Sequence, residues 1–349
     1  MLYKFLDNTD IIVSRVCLGT MTFGQQNTES EGHEQIDYAI DQGVNFIDTA
    51  EMYAVPSSKE VQGKTEEIIG TWLKKTGKRK DIVLASKVTG PNSGLKGFVR
   101  PETGLGFSRK QIRAAIEGNL SRLQTDYLDL YQLHWPERKT NFFGKLEYVH
   151  DENEEWEDNF LDIIQLMDEL KKEGKIRHFG ISNETPWGMM NFLAKARANG
   201  LEGPISIQNP YSLLNRSFEI GAAEISIREK MGLLVYSPLG FGVLSGKYLN
   251  NQSPENARIT KFPQFSRYSN ELALSATQKY ANLAKEFDLS LTQLSIAFSI
   301  FQPFVTSSII GATSMEQLKE NIDSINLDFT DELRTRINEI HKENPNPAP

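Results

Sequence analysis

Eight short runs rich in β-branched and aromatic residues, each followed by a longer amphipathic stretch, limit what this chain can fold into more than any other feature. They read RVCLGTM (15–21), VNFIDTA (44–50), DIVLASKV (81–88), YLDLYQLHW (127–135), IRHFGISN (176–183), PISIQNPYS (204–212), GLLVYSPLG (232–240) and TSSIIGATS (306–314). Strands separated by helix-length segments pair in parallel, because a parallel partner is reached only through a long crossover. Two of the intervening stretches show the helical period clearly. SRKQIRAAIEGNLSRL (108–123) puts Ile112, Ala115, Ile116 and Leu120 on one face behind Ser108 as N-cap. NFLDIIQLMDELKKEGK (159–175) does the same with Leu161, Ile164, Leu166 and Leu170, and Gly174 stops it. Eight βα units with no break in composition predict a closed (β/α)8 TIM barrel occupying residues 1–349 as a single domain. An open doubly wound sheet is the rival arrangement.

Some segments stand outside that count. MLYKFLDNTDIIVSR predicts an N-terminal hairpin turning at Asn8-Thr9-Asp10 and able to cap the barrel floor. Residues 89–107 are rich in Gly and Pro and predict a long loop at the C-terminal face. A second long loop, 137–158, ends in DENEEWED, where six of eight residues are acidic; a solvated surface loop and a docking site both fit that run. The closing ENPNPAP reads either as a disordered tail or as a strap over the barrel mouth.

Charge and cysteine content narrow the function classes. Lys and Arg total 38 against 46 Asp and Glu, a net charge of −8, which disfavours nucleic acid as a partner. The one cysteine, Cys17, leaves no intramolecular disulfide and no Cys-rich metal site. MLYKFLDNTD lacks the apolar core of a signal peptide, and no run is long and apolar enough to span a bilayer, so a cytoplasmic protein is expected. No GxGxxG follows an early strand. QGKTE (62–66) lacks the first glycine of a P-loop, and HEQID (33–37) lacks the second histidine of a zinc helix.

In a barrel of this kind the chemistry sits at the C-terminal ends of the strands. Four titratable residues fall there: Asp48 after the second strand, Tyr53 in the loop behind it, Lys87 after the third strand and His134 after the fourth. Alone, each has a bland explanation: a helix cap, a surface lysine, a satisfied core histidine. Adjacent strands nevertheless aim all four at one pocket. A tyrosine titrates near pH ~10 and is a poor donor unless its phenolate is stabilised. A lysine ammonium ~4 Å away at an effective dielectric of ~20 contributes roughly 4 kcal/mol, or about three pKa units before desolvation is subtracted. Asp48 then holds Lys87 charged, Lys87 tunes Tyr53, and His134 points a ring N–H at a substrate oxygen. That set suits reduction of an aldehyde or ketone, given a hydride source.

With NFIDTAEMY, ASKV, YLDLYQLHWP, IRHFGISN, IQNPYSLLNR, YSPLGFGVLSGKY and GATSMEQLKEN in this order, the chain resembles the aldo-keto reductase superfamily from about residue 14 to 343. It looks closest to the branch that includes bacterial Tas-like reductases and potassium-channel β-subunits. The resemblance implies that Asp48, Tyr53, Lys87 and His134 form the family's catalytic tetrad, with Tyr53 as general acid. It also implies NADP(H) across the barrel mouth, against Thr20, Met21 and Asp48. Ser182, Asn183 and Gln208 would meet the carboxamide, and Tyr236 would present an aromatic face to the ring. Ser237, Pro238, Leu239 and Gly246 would follow the pyrophosphate, and Gly311, Thr313, Gln317, Glu320 and Asn321 the adenosine end. For the last three, an ordinary solvated helix face is the competing explanation. Lys247 and Arg258 match positions that grip a 2′-phosphate, which favours NADPH over NADH.

Behind Tyr53, AVPSSKEVQGKTEE departs from the family by an insertion of roughly ten residues, expected to reshape one wall of the substrate pocket. Trp135, next to His134, either lines that pocket or packs under the loop. The expected partner is a small-molecule carbonyl compound, with no nucleic acid, membrane or metal. Two other functions compete: a Schiff-base aldolase using Lys87, and a regulatory subunit that holds NADPH as a sensor with little turnover.

Overall fold

The computed structural model describes residues 1–349. Ten strands run in chain order: β1 (Tyr3–Phe5), β2 (Ile12–Ser14), β3 (Val16–Gly19), β4 (Phe46–Asp48), β5 (Val83–Val88), β6 (Leu128–Leu133), β7 (Ile176–Ser182), β8 (Ser206–Pro210), β9 (Gly232–Tyr236) and β10 (Val305–Ile310). β3 to β10 form a closed parallel barrel in sequential order, shut by β10 on β3 with Ile309 opposite Cys17. Each of the eight strand expectations therefore corresponds to a barrel strand, and the open sheet is excluded. No helix is long and apolar enough to cross a membrane.

β1 and β2 make the expected hairpin, with Tyr3 opposite Ser14. Its turn is closed by Thr9, whose hydroxyl donates to the Leu6 carbonyl (2.5 Å) and accepts from the Ile11 N–H (3.1 Å), while Asn8 takes a left-handed φ of 54°. Leu6, Ile11 and Val13 enter one apolar cluster with Cys17, Phe46, Val83, Ala85, Leu130, Ile205, Leu234 and Ile309. The hairpin thus plugs the barrel floor, each large apolar side chain contributing ~1.5–3 kcal/mol on burial.

The helices pack outside as their sequences require. Ser108 caps the helix Arg109–Leu123 in a reciprocal capping box with Gln111. In the helix Phe160–Lys172 the buried stripe is Phe160, Ile163, Ile164, Leu166, Met167 and Leu170; Leu161, expected in it, is only half-buried. The 3.6-residue period places Ile163 and Met167 on the stripe instead.

The tail is ordered. The Ala348 N–H donates to the Leu214 carbonyl (3.1 Å), Asn270 Nδ2 to Pro347 O (2.9 Å) and Arg267 Nε to Pro349 O (2.8 Å). It straps the segment after β9 to the rim of the mouth.

Candidate functional site

At the open end of the barrel lies a cleft of about 1260 Å³. Its deepest polar group is built by strand register. Asp48 ends β4, paired with Gly19 on β3 and Ala85 on β5, and Lys87 on β5 lies opposite Gln132 on β6. Lys87, fully buried, donates from Nζ to Asp48 Oδ2 (2.6 Å) and to the Thr49 carbonyl (2.8 Å). The other carboxylate oxygen accepts from Gln208 Nε2 (2.9 Å) and Gln132 Nε2 (3.2 Å). Both oxygens of a buried charge are thus satisfied, which is what makes the pair tolerable away from water. Burial pulls the Lys87 pKa down, but Asp48 and then Tyr53 outweigh it, and the net shift is upward.

Tyr53 and His134 face each other across the cleft, ring centroids 5.8 Å apart and edge to face. The Lys87 ammonium lies 5.0 Å from the centre of the Tyr53 ring. Burial pushes the Tyr53 phenol above its ordinary pKa, and Lys87 only partly reverses this. Desolvation, which the lysine's contribution had to be set against, is the larger effect. Burial, followed by the Lys87 charge, holds His134 well below the usual histidine range, so its ring is neutral at pH 7. Its buried Nδ1 has no hydrogen-bond partner within the protein.

The remaining proposed site residues assemble around this centre. Thr20 donates to the Asp48 carbonyl (2.8 Å), and Ser182 to that of Gln208 (2.8 Å). Asn183 Nδ2 donates to the His134 carbonyl (2.9 Å), and its Oδ1 accepts from the Tyr236 hydroxyl (2.7 Å). Met21, Ser237, Pro238, Leu239, Gly311, Thr313, Gln317, Glu320 and Asn321 also line the cleft. Asn321 is buried with its Oδ1 unpartnered, so this helix edge is cleft wall rather than solvated surface. Gly246, between the cleft-lining Ser245 and Lys247, has φ 79° and ends the turn Gly240–Ser245, a backbone role that glycine fills without strain. Lys247 and Arg258 line the far end, half-buried, and no carboxylate pairs with either. Burial lowers the pKa of both, and Arg258 lowers that of Lys247 further.

Opposite, the wall includes Met52, Val55, Pro56, Ser57, Leu95, Trp135 and Phe143. The insertion behind Tyr53 supplies three of these. Trp135 does both things considered for it, lining the cleft and donating from Nε1 to the Pro91 carbonyl (3.1 Å). Gly90 makes the room: a Cβ there would lie 2.6 Å from that indole nitrogen. Gln132, Phe143 and Arg267 were not foreseen. Gln132 left a signal, a lone amide two residues before His134 and on the same strand face.

Fold and site define a barrel oxidoreductase with its polar centre on adjacent strand ends. A model of the aldo/keto reductase family matches residues 15–342, and the chain belongs to that family. The protein tas of Escherichia coli (strain K12) is 47% identical over 354 residues, covering 100% of both chains. An aldo-keto reductase of Babesia bovis is 38% identical over 74% of this chain and 95% of its own. A probable voltage-gated potassium channel subunit beta of Oryza sativa subsp. japonica is 29% identical over 94% of this chain and 92% of its own. Both kinds of relative in the resembled branch are thus represented.

Proposed function

We propose that this protein reduces aldehydes or ketones to alcohols with NADPH, Tyr53 delivering the proton. The observation that carries the reading is the alignment of Asp48, Lys87 and Tyr53 beside a neutral His134. Tyr53, shifted up from an ordinary pKa near ~10, is a phenol throughout the neutral range and so a ready donor. As a base for the reverse oxidation it would be empty-handed until strongly alkaline pH. His134 donates a ring N–H to the same carbonyl oxygen, polarising it as charge develops there. Lys87 stabilises the phenolate left behind, and Asp48 keeps Lys87 an ammonium. The same raised pKa and the ion pair with Asp48 leave Lys87 unsuited to Schiff-base chemistry.

The residues present fit NADP(H). Two cations without carboxylate partners in one cleft wall match a phosphate, and Asn183 and Gln208 carry amides beside His134. When bound, NADPH supplies the hydride. Lys247 and Arg258 would hold its 2′-phosphate, Ser182, Asn183 and Gln208 its carboxamide, and Tyr236 its ring. The proposed setting is the cytoplasm, and the proposed partner a small-molecule carbonyl compound. The test is NADPH oxidation by the purified chain over a panel of aldehydes and ketones. Many turnovers per protein are expected. Tight NADPH binding with no more than one turnover would favour the regulatory subunit, and no binding would refute the cofactor assignment.

A further inference from the structure

Two segments meet behind His134: residues 134–138, which lead away from β6, and residues 182–185, which lead away from β7. They are tied twice. The inner tie is the Asn183 amide on the His134 carbonyl (2.9 Å). The outer tie is a buried fork between Arg138 and Glu184, with Nη1 on Oε2 at 2.9 Å and Nη2 on Oε1 closer still. The Thr185 N–H donates to the same carboxylate (2.7 Å), and Arg138 Nη2 to the Thr185 hydroxyl (3.1 Å). The guanidinium lies 4.7 Å from the Trp187 ring centre, 5.6 Å from that of Phe160 and 5.9 Å from that of Trp156. The sequence makes room for the carboxylate: a Cβ on Gly188 would fall 2.2 Å from Glu184 Cδ and displace it.

Stability alone does not account for this arrangement. Two apolar side chains of similar volume often serve as well as a buried ion pair. What a guanidinium–carboxylate fork adds is orientation, because planar donors and acceptors meet in one geometry. Glu184 directly follows Asn183, whose φ of 56° is the left-handed conformation that asparagine adopts more readily than most other residues bearing a side chain. Anchoring Glu184 at its carboxylate, and at its carbonyl through Asn209 Nδ2 (2.9 Å), fixes the backbone from which the Asn183 amide projects. Arg138 anchors the same point to the His134 segment.

We propose that Arg138 is a positioning residue: through Glu184 it holds the Asn183 amide in register with His134, and so sets the nicotinamide end of the cofactor relative to the substrate oxygen. This rests on the NADPH reading above. The tie acts at one end of the cleft only, since Lys247 and Arg258 come from the segment after β9 and share no hydrogen bond with it.

The test uses Arg138→Met/Glu184→Leu, which removes both charges together, and Arg138→Lys, which keeps the charge and loses the fork. Each is titrated with NADPH and with 2′-phospho-ADP-ribose, which carries the phosphates but no nicotinamide. NADPH should weaken by about 10-fold in the double variant, equivalent to ~1.4 kcal/mol, while the fragment keeps its wild-type affinity. Arg138→Lys should show the same asymmetry, and it carries the test if the double variant does not fold. Turnover at saturating NADPH should fall in both. Equal weakening of NADPH and fragment, or no weakening of either, overturns the proposal by reducing Arg138 to a structural role. A wild-type protein that binds neither NADPH nor the fragment refutes the reading beneath it, and the proposal with it.

Discussion

The two ends of the cleft solve opposite electrostatic problems. At the centre, Lys87 and Asp48 are buried, paired, and hydrogen-bonded on both carboxylate oxygens. At the far wall, Lys247 and Arg258 are half-buried with no carboxylate in salt-bridge contact; burial lowers the pKa of both, and Arg258 lowers that of Lys247 further against a smaller opposing pull from Glu320. The centre is complete within the protein, whereas the far wall is complete only with an anion. A finished polar network implies that the protein supplies the field itself, preorganised for charge that develops on a substrate. An unfinished one identifies a ligand by its missing charge. The comparison predicts that damage at the centre falls on turnover and damage at the wall falls on affinity.

The largest effect should come from Tyr53→Phe. It removes one hydroxyl and no charge, so NADPH affinity should change little while turnover falls at least ~10²-fold, the scale of one general acid. Reduction of a good aldehyde at near wild-type rate would remove Tyr53 from the mechanism. Loss of NADPH affinity in the same variant would blur the division between the two ends.

Lys87→Met should be about as damaging to turnover, and it also leaves Asp48 buried without its cation, a loss of about 3–5 kcal/mol in comparable pairs. Thermal melting should therefore shift down markedly. The pH profile carries the sharper reading. In the wild type the Tyr53 pKa is raised, so kcat/KM for reduction should stay level through neutrality and decline only above pH ~10. Lys87 pulls that pKa down against burial. Removing it should move the alkaline decline higher still. An unchanged decline in the residual activity would mean that Lys87 holds Asp48 in place and does nothing electrostatic to the phenol.

These two residues, with Asp48 and His134, were legible in the sequence because strand ends in a parallel barrel converge wherever the chain repeats its βα unit. The eight strands were legible for a related reason: buried parallel strands read as continuous apolar runs. What stayed hidden depends on where long loops land. Phe143 reaches the cleft from within residues 137–158, and Arg267 from the excursion after β9, positions that no periodicity encodes. The balance of forces on Tyr53 was hidden as well. Its lysine neighbour is local and countable, but the desolvation that outweighs it is a property of the whole cleft.

At the far wall, Lys247→Ala or Arg258→Ala should weaken NADPH by about 10- to 100-fold, since charge-assisted phosphate contacts contribute roughly 1.5–3 kcal/mol each. NADH, which lacks the 2′-phosphate, should bind almost as before. Titrating both cofactors at fixed ionic strength measures the difference directly. Equal losses would assign these cations to the pyrophosphate or to the fold, and a wild-type preference for NADH would end the 2′-phosphate assignment.

The smallest effect separates the two ends without any mutation. Screening acts on charges that water and ions can approach: the Debye length falls from ~10 Å at 0.1 M salt to ~3 Å at 1 M. Lys247 and Arg258 are half-buried, whereas the Lys87 ammonium is fully enclosed. Raising the salt from ~0.1 M to ~1 M should therefore weaken NADPH by a few-fold and leave NADH nearly unchanged. Turnover at saturating NADPH should not move, because no ion reaches the Asp48–Lys87 pair. Steady-state kinetics at several ionic strengths would show a rising KM for NADPH against a constant kcat. A kcat that fell in step with the affinity would mean that salt reaches the centre, and that the contrast between a finished and an unfinished network does not hold in solution.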